Sequence, residues 1–212
     1  MKAKFLSASI LAGIFVTALC GFVKGQAPAG HPAPPPPASL ANEKAVTGAT
    51  PSPARKYFSD VELINQDGQK MRFYSDVLKD KVVIINTFFA TCSGTCPPMN
   101  RNLERVQEAL GDRLGKDAII VSISVDPETD TPQRLKEYSQ RFHARPGWIF
   151  LTGKKENVDW ALYKLGQYVE TKGDHTTIII IGNEPKGLWK KAFGLAKPNE
   201  LIKIVEDVFS DR

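Results

Sequence analysis

Glycine and proline number 16 and 15 in 212 residues, with no collagen-like excess, so fibrous classes are out. No internal repeat is found, and repeat architectures go with it. The body of the chain also lacks net charge. The formal charge is +5, yet residues 1–56 carry six Lys/Arg against one Asp/Glu, leaving residues 57–212 with 22 of each. A nucleic-acid binder would concentrate basic charge on its folded face, so that class is excluded. Residues 26–56 lack aromatics altogether and have few large apolar side chains. What they hold instead is eight of the prolines and eight alanines, including the run Pro34–Pro37. Such a segment cannot bury enough surface to offset its ordering entropy, and it reads as an extended, semi-rigid spacer. His31 within it reads as a solvated linker residue.

Ahead of the spacer, residues 1–25 have the layout of an export signal. Lys2 and Lys4 form a short positive stretch, and an apolar run of about 19 residues follows from Phe5 to Val23. Two readings stay open: cleavage before Gln26, or an uncleaved anchor, for which this Gly- and Ser-containing run is of minimal length. Both place the rest of the chain outside the cytoplasm, in a periplasmic setting, because the positive end stays inside. Cys20 follows the large Leu19, which does not suit a lipid-modified cysteine, so it reads as an apolar filler. The folded domain is expected from Tyr57 to the end, as a monomer. With 42% of the chain apolar, one well-buried core is available.

Within that domain, Val61–Ile64 and Lys70–Tyr74 flank Asn65-Gln66-Asp67-Gly68, an Asp-Gly hairpin signal. Val82–Phe89 and Ala118–Val125 are nearly continuous β-branched runs, the pattern of strands buried on both faces. Between them a helix carries Met99, Leu103, Val106 and Leu110 at helical spacing, with prolines at its opening. Thr131 and Pro132 open another helix, with Leu135, Tyr138 and Phe142 as its stripe. A strand at Trp148–Leu151, a helix with Val158, Ala161, Leu162 and Leu165, strands at Thr176–Ile181 and Leu188–Phe193, and a helix opened by Pro198 complete the chain. Strands alternating with helices predict an α/β layered domain with a mixed central sheet.

Three residues are chemically loaded: Cys92, Cys96 and His175. The cysteines follow a buried strand and open a helix, the sheet edge where α/β proteins place their sites. A helix N-terminus favours thiolate over thiol. Four residues apart, the pair can close a disulfide or grip one soft metal ion. A static disulfide is the plain alternative, although so small a ring constrains the unfolded chain little. His175 stands at a strand entrance, where its loop can meet the cysteine loop of a neighbouring strand. Two thiolates and an imidazole suit Cu(I), or Cu(II) with one further ligand. Structural zinc wants a fourth protein ligand, and the remaining candidates, Cys20, His31 and His143, lie elsewhere.

The stretches Thr87-Phe88-Phe89-Ala90-Thr91-Cys92-Ser93-Gly94-Thr95-Cys96-Pro97, Ser124-Val125-Asp126-Pro127-Glu128-Thr129-Asp130-Thr131-Pro132, Gly147–Gly153 and Asp174-His175-Thr176 resemble the Sco/SenC/PrrC family. The resemblance covers residues 57–212. It implies a thioredoxin-like three-layer fold and an exported or membrane-tethered protein. It also implies copper bound by Cys92, Cys96 and His175, and a part in assembling the dinuclear copper site of cytochrome c oxidase. Two departures stand out: Thr176 replaces the usual serine, and Asp174-His175 occupies the place where thioredoxin-like reductases carry a cis-proline. Asp126 and Asp130 either orient the site or serve only in turn formation and helix capping. Three functions compete. The chain is a copper metallochaperone for the copper-site subunit of the oxidase, or a thiol-disulfide oxidoreductase using Cys92 and Cys96 as a redox-active pair on that subunit or another exported cysteine protein. A peroxide-handling enzyme is the third, and only Thr95 speaks for it.

Overall fold

The computed structural model describes residues 32–40 and 53–210. Its centre is a pair of parallel strands, β3 (Val82–Phe88) and β4 (Ala118–Ser124), buried at all seven positions each, as their continuous apolar runs require. The crossover between them is helix α2 (Cys96–Leu110). Strand β5 (Trp148–Thr152) adds in parallel to β4 after helix α3 (Pro132–Gln140). On the other side of β3, strand β6 (Ile178–Asn183) runs antiparallel, and β7 (Leu188–Phe193) pairs antiparallel with β6. The hairpin β1 (Glu62–Asn65) and β2 (Lys70–Arg72) closes the far edge, giving a seven-stranded mixed sheet in the order β2-β1-β5-β4-β3-β6-β7. The hairpin turn is locked by the Asn65 carboxamide oxygen, which accepts the Asp67 and Gln69 N–H groups at 3.0 and 2.9 Å. Gly68 supplies the φ of +77° that this turn needs.

Side chains alternate across the sheet into two apolar clusters. Val82, Ile84, Phe88, Ile120, Trp148 and Ile181 face α2, α3 and the last helix, α5 (Pro198–Ser210). Val83, Ile85, Val121, Leu151 and Ile180 face helices α1 (Pro53–Phe58) and α4 (Lys155–Leu165). The expected three layers, mixed sheet and N-terminal hairpin are therefore present. Helix boundaries follow local chemistry: the Thr131 hydroxyl accepts the Arg134 N–H at 3.3 Å ahead of Pro132, and Gly166 ends α4 in the left-handed region.

Several local expectations need correction. The second hairpin strand stops at Arg72, and Phe73–Leu78 forms a π-helical turn that buries Phe73, Tyr74, Val77 and Leu78. Two carboxylates stabilise it. Asp76 accepts the Arg72 N–H at 2.7 Å and pairs with its guanidinium, while Asp60 takes both the N–H and the hydroxyl of Ser75 at 2.7 and 2.6 Å. Strand β6 begins at Ile178, not Thr176, because the Thr176 hydroxyl donates to Gln167 at 2.6 Å and accepts the Ile178 N–H.

The spacer expected over residues 26–56 is not uniformly bare. Helix α1 straddles the expected start of the domain at Tyr57, and Phe58 packs against Phe73 and Trp189. Within residues 32–40, Pro34 and Pro37 are buried and Leu40 packs on the second cluster. Proline rings present apolar surface with little conformational freedom left to lose, so docking them costs little. The apolar run 5–23, Cys20 and His31 lie outside the described residues, and among those described no helix is long and apolar enough to cross a membrane.

Candidate metal centre

Because β6 runs antiparallel to β3, with Val82 opposite Asn183 and Ile85 opposite Ile180, the exit of β3 lies beside the entrance of β6. The chain leaving β3 carries Cys92 and Cys96; the turn entering β6 carries His175. Residues 79 apart in sequence meet here, with Cys96 Sγ and His175 Nε2 at 3.2 Å. The donor atoms of Cys92, Cys96 and His175 all lie within 4.8 Å of one another, the one such cluster among the described residues. Both thiols are free; Cys96 is fully buried and Cys92 half-buried.

The imidazole is oriented by its other nitrogen. His175 Nδ1 lies 2.9 Å from the Lys172 carbonyl oxygen, which can only accept, so Nδ1 carries the proton and Nε2 presents a lone pair to the thiols. Phe89 packs edge-to-face against the ring at 5.2 Å.

The two thiols differ in acidity. Burial pushes Cys96 up to about 12, reinforced by its hydrogen bond to Cys92. Burial also acts upward on Cys92, but hydrogen bonds from the Cys96 thiol and from the N–H groups of residues 94–96 at the start of α2 outweigh it, and its pKa falls below the ordinary thiol value. Cys92, at the surface, is thus the more readily ionised thiol, and Cys96 beneath it is the one that holds its proton more tightly. Iodoacetamide at neutral pH is expected to label Cys92, faster as pH rises through its lowered pKa, and to spare Cys96 in the folded chain. Mass spectrometry of peptides after a timed quench would read this, and equal labelling of the two would contradict the assignment.

Two acidic residues fix the loops on either side. Asp130, fully buried, accepts the Ala90 N–H at 3.0 Å and the Ser124 hydroxyl at 2.6 Å, tying the cysteine loop to the loop after β4. Burial raises its pKa against those hydrogen bonds. Asp126 pairs with Lys172 at 2.7 Å, on the histidine turn. Capping by Thr131 is present as well, so this segment both opens α3 and braces the site. His143 stands apart, on the turn after α3, with Nδ1 2.6 Å from the Glu104 carboxylate. A cleft of about 530 Å³ opens beside Cys92, between Ser93 and Pro97 on one side and Arg134 and Glu137 of α3, with Arg141 just past its end, on the other.

Below the site runs a buried polar chain that sequence reasoning did not find. Trp148 Nε1–H donates to the Ser122 hydroxyl (3.0 Å), which donates to Asn86 Oδ1 (2.6 Å). Asn86 Nδ2 donates to Asn100 Oδ1 (3.0 Å), and Asn100 Nδ2 donates to the Tyr138 hydroxyl (2.9 Å). It links β5, β4, β3, α2 and α3 one turn below Cys96. The signal was there in Asn86, a carboxamide directly after the apolar run Val82–Ile85 of a buried strand.

The SCO1/SenC family model matches residues 49–210. A SCO2-like protein of Rickettsia conorii is 37% identical over 103 residues, covering 49% of this chain and 48% of that protein. The chain spans about half the length of the curated relatives it matches. Among solved structures, Arabidopsis thaliana ScoI with copper bound is 26% identical with a TM-score of 0.60, covering 71% of this chain and 96% of that one. BsSco, described as having a disulfide switch and as a member of the Sco family of cytochrome c oxidase assembly proteins, is 27% identical with a TM-score of 0.58, covering 71% and 92%. With the family model matched over three quarters of its length, this chain belongs to the SCO1/SenC family.

Proposed function

We propose that this chain is a copper metallochaperone: Cys92, Cys96 and His175 hold one copper ion as cargo and pass it to the copper-site subunit of cytochrome c oxidase. One observation carries the reading, the convergence of two sulfurs and one lone-pair nitrogen within 4.8 Å. That donor set is soft and three-membered, which suits Cu(I). Tetrahedral structural zinc would need a fourth protein donor, and the cluster among the described residues has three. The copper-bound Arabidopsis relative and the oxidase-assembly description of BsSco support the choice of cargo and destination. The export-signal layout of residues 1–25 supports an extracytoplasmic workplace, with residues 5–23 as tether or cleaved signal, residues 26–56 as connection and the remainder as the working domain.

Metal binding and redox state are coupled in this reading. Binding Cu(I) displaces to solvent whatever protons the two thiols carry and uses both sulfurs as thiolates; oxidation joins the same sulfurs and removes two of the three donors. A thiol-disulfide oxidoreductase remains the second reading, favoured by the lowered pKa of the accessible Cys92. Anaerobic titration with Cu(I) is the test. One equivalent is expected on the reduced chain and none on the chain with a Cys92–Cys96 disulfide. Retention of one equivalent by the fully oxidised chain would defeat the proposal.

A further inference from the structure

The turn that delivers His175 is tied to the loop after β4 through Lys172. No side chain from Thr171 to Asp174 is buried, so apolar packing does not hold the turn in place. Lys172 does so by polar contacts. Its carbonyl oxygen accepts His175 Nδ1–H at 2.9 Å and the His175 backbone N–H at 3.4 Å. Its ammonium lies 2.7 Å from Asp126 Oδ2 and 5.4 Å from the centre of the Phe89 ring, which in turn packs on the imidazole. Asp126 is a firm post: its N–H donates to the Ser124 hydroxyl at 3.0 Å, and its carbonyl accepts the N–H groups of Thr129 and Asp130 at 3.1 and 2.9 Å.

We propose that Lys172 is the positioning residue for His175. Its ion pair with Asp126 latches the turn so that Nε2 stays aimed at the thiols, and opening of that latch is the step that lets copper leave. This rests on the copper reading above. When the latch opens, the copper–imidazole bond breaks while the two copper–sulfur bonds persist, and the vacated position is open to a donor atom of the receiving molecule. The ion pair is partly exposed, with side chains 46% and 13% accessible, so water and competing charges can reach it.

The test is the rate at which the Cu(I)-loaded chain surrenders metal to excess bicinchoninate. Lys172→Met and Asp126→Asn are each expected to speed release about fivefold, the double variant no more than either alone, and Lys172→Arg to stay near wild type. Raising ionic strength should quicken release from wild type and leave Lys172→Met unchanged, a response that a merely structural lysine would not produce. A metal-free readout runs alongside: ¹⁵N shifts of His175 should show one Nδ1–H tautomer in wild type and a mixture in Lys172→Met. Equal release rates and equal salt dependence in wild type and Lys172→Met would overturn the latch. If wild type takes up no copper at all, the parent reading falls instead, and an unaltered tautomer in Lys172→Met would then sink the latch independently.

Discussion

Replacing His175 with alanine is expected to weaken Cu(I) binding by more than about a hundredfold while the Cys92–Cys96 disulfide still forms and breaks. Loss of groups that merely orient a ligand costs about 10–100-fold in metal affinity, so removal of the ligand itself should exceed that range. Thiol exchange should survive, because it depends on thiolate fraction and access. The forces that lower the Cys92 pKa come from Cys96 and the N–H groups at the start of α2, and His175 is not among them. Chelator competition and disulfide-exchange kinetics on one preparation would separate the two functions. In a cell short of copper, His175→Ala should fail to support oxidase assembly, and Cys92→Ser should fail both assays. Full assembly by His175→Ala would hand the protein to the oxidoreductase reading. Loss of disulfide exchange as well would mean that the imidazole acts on the thiols themselves.

The second large effect is on stability. Asn86→Ala is expected to cost about 3–5 kcal/mol, because it leaves the Ser122 O–H without an acceptor and Asn100 Oδ1 without a donor in the core and adds a small cavity. Asn86, Asn100 and Ser122 are at most 1% exposed, so water cannot replace the lost bonds. Against a total of about 5–15 kcal/mol for a typical domain, this is a large share. Urea unfolding should show a lower midpoint with an unchanged slope. A loss under about 1 kcal/mol would mean that the sheet holds α2 without the polar chain. Since Asn100 lies one turn from Cys96, the same variant should also hold copper less tightly than its residual fold would suggest.

Strands β3, β4 and β6 were readable because a run such as Val82-Val83-Ile84-Ile85 has only one comfortable place, inside a sheet covered on both faces. Helix starts at Pro97, Pro132 and Pro198 were readable because proline tolerates the first turn and little else there. The two cysteines were readable as a pair from spacing, and His175 only as a candidate, since nothing local says which strand entrance faces which exit. The resemblance to a known family supplied that link. The π-helical turn at Phe73–Leu78 was not readable, because its stability comes from Asp60 accepting the Ser75 N–H within it and Asp76 accepting the Arg72 N–H just ahead of it. Nor was the docking of Pro34 and Pro37, since composition reports the average character of a segment and not the surface it meets. Lys172 looked like any loop lysine; its partner Asp126 is 46 residues away.

The antiparallel meeting of β3 and β6 also sets an order of events as the chain folds. Cys92 and Cys96 are neighbours along the chain and can find each other, and an oxidant, after closing a ring of a few residues. The imidazole cannot join them until β6 has docked on β3, a closure spanning 79 residues from Cys96 to His175. A nascent chain in an oxidising space therefore meets the chance of a disulfide before it has a complete nest for metal. A chain oxidised at that stage would need a reductant that reaches Cys92 before those two sulfurs could hold an ion.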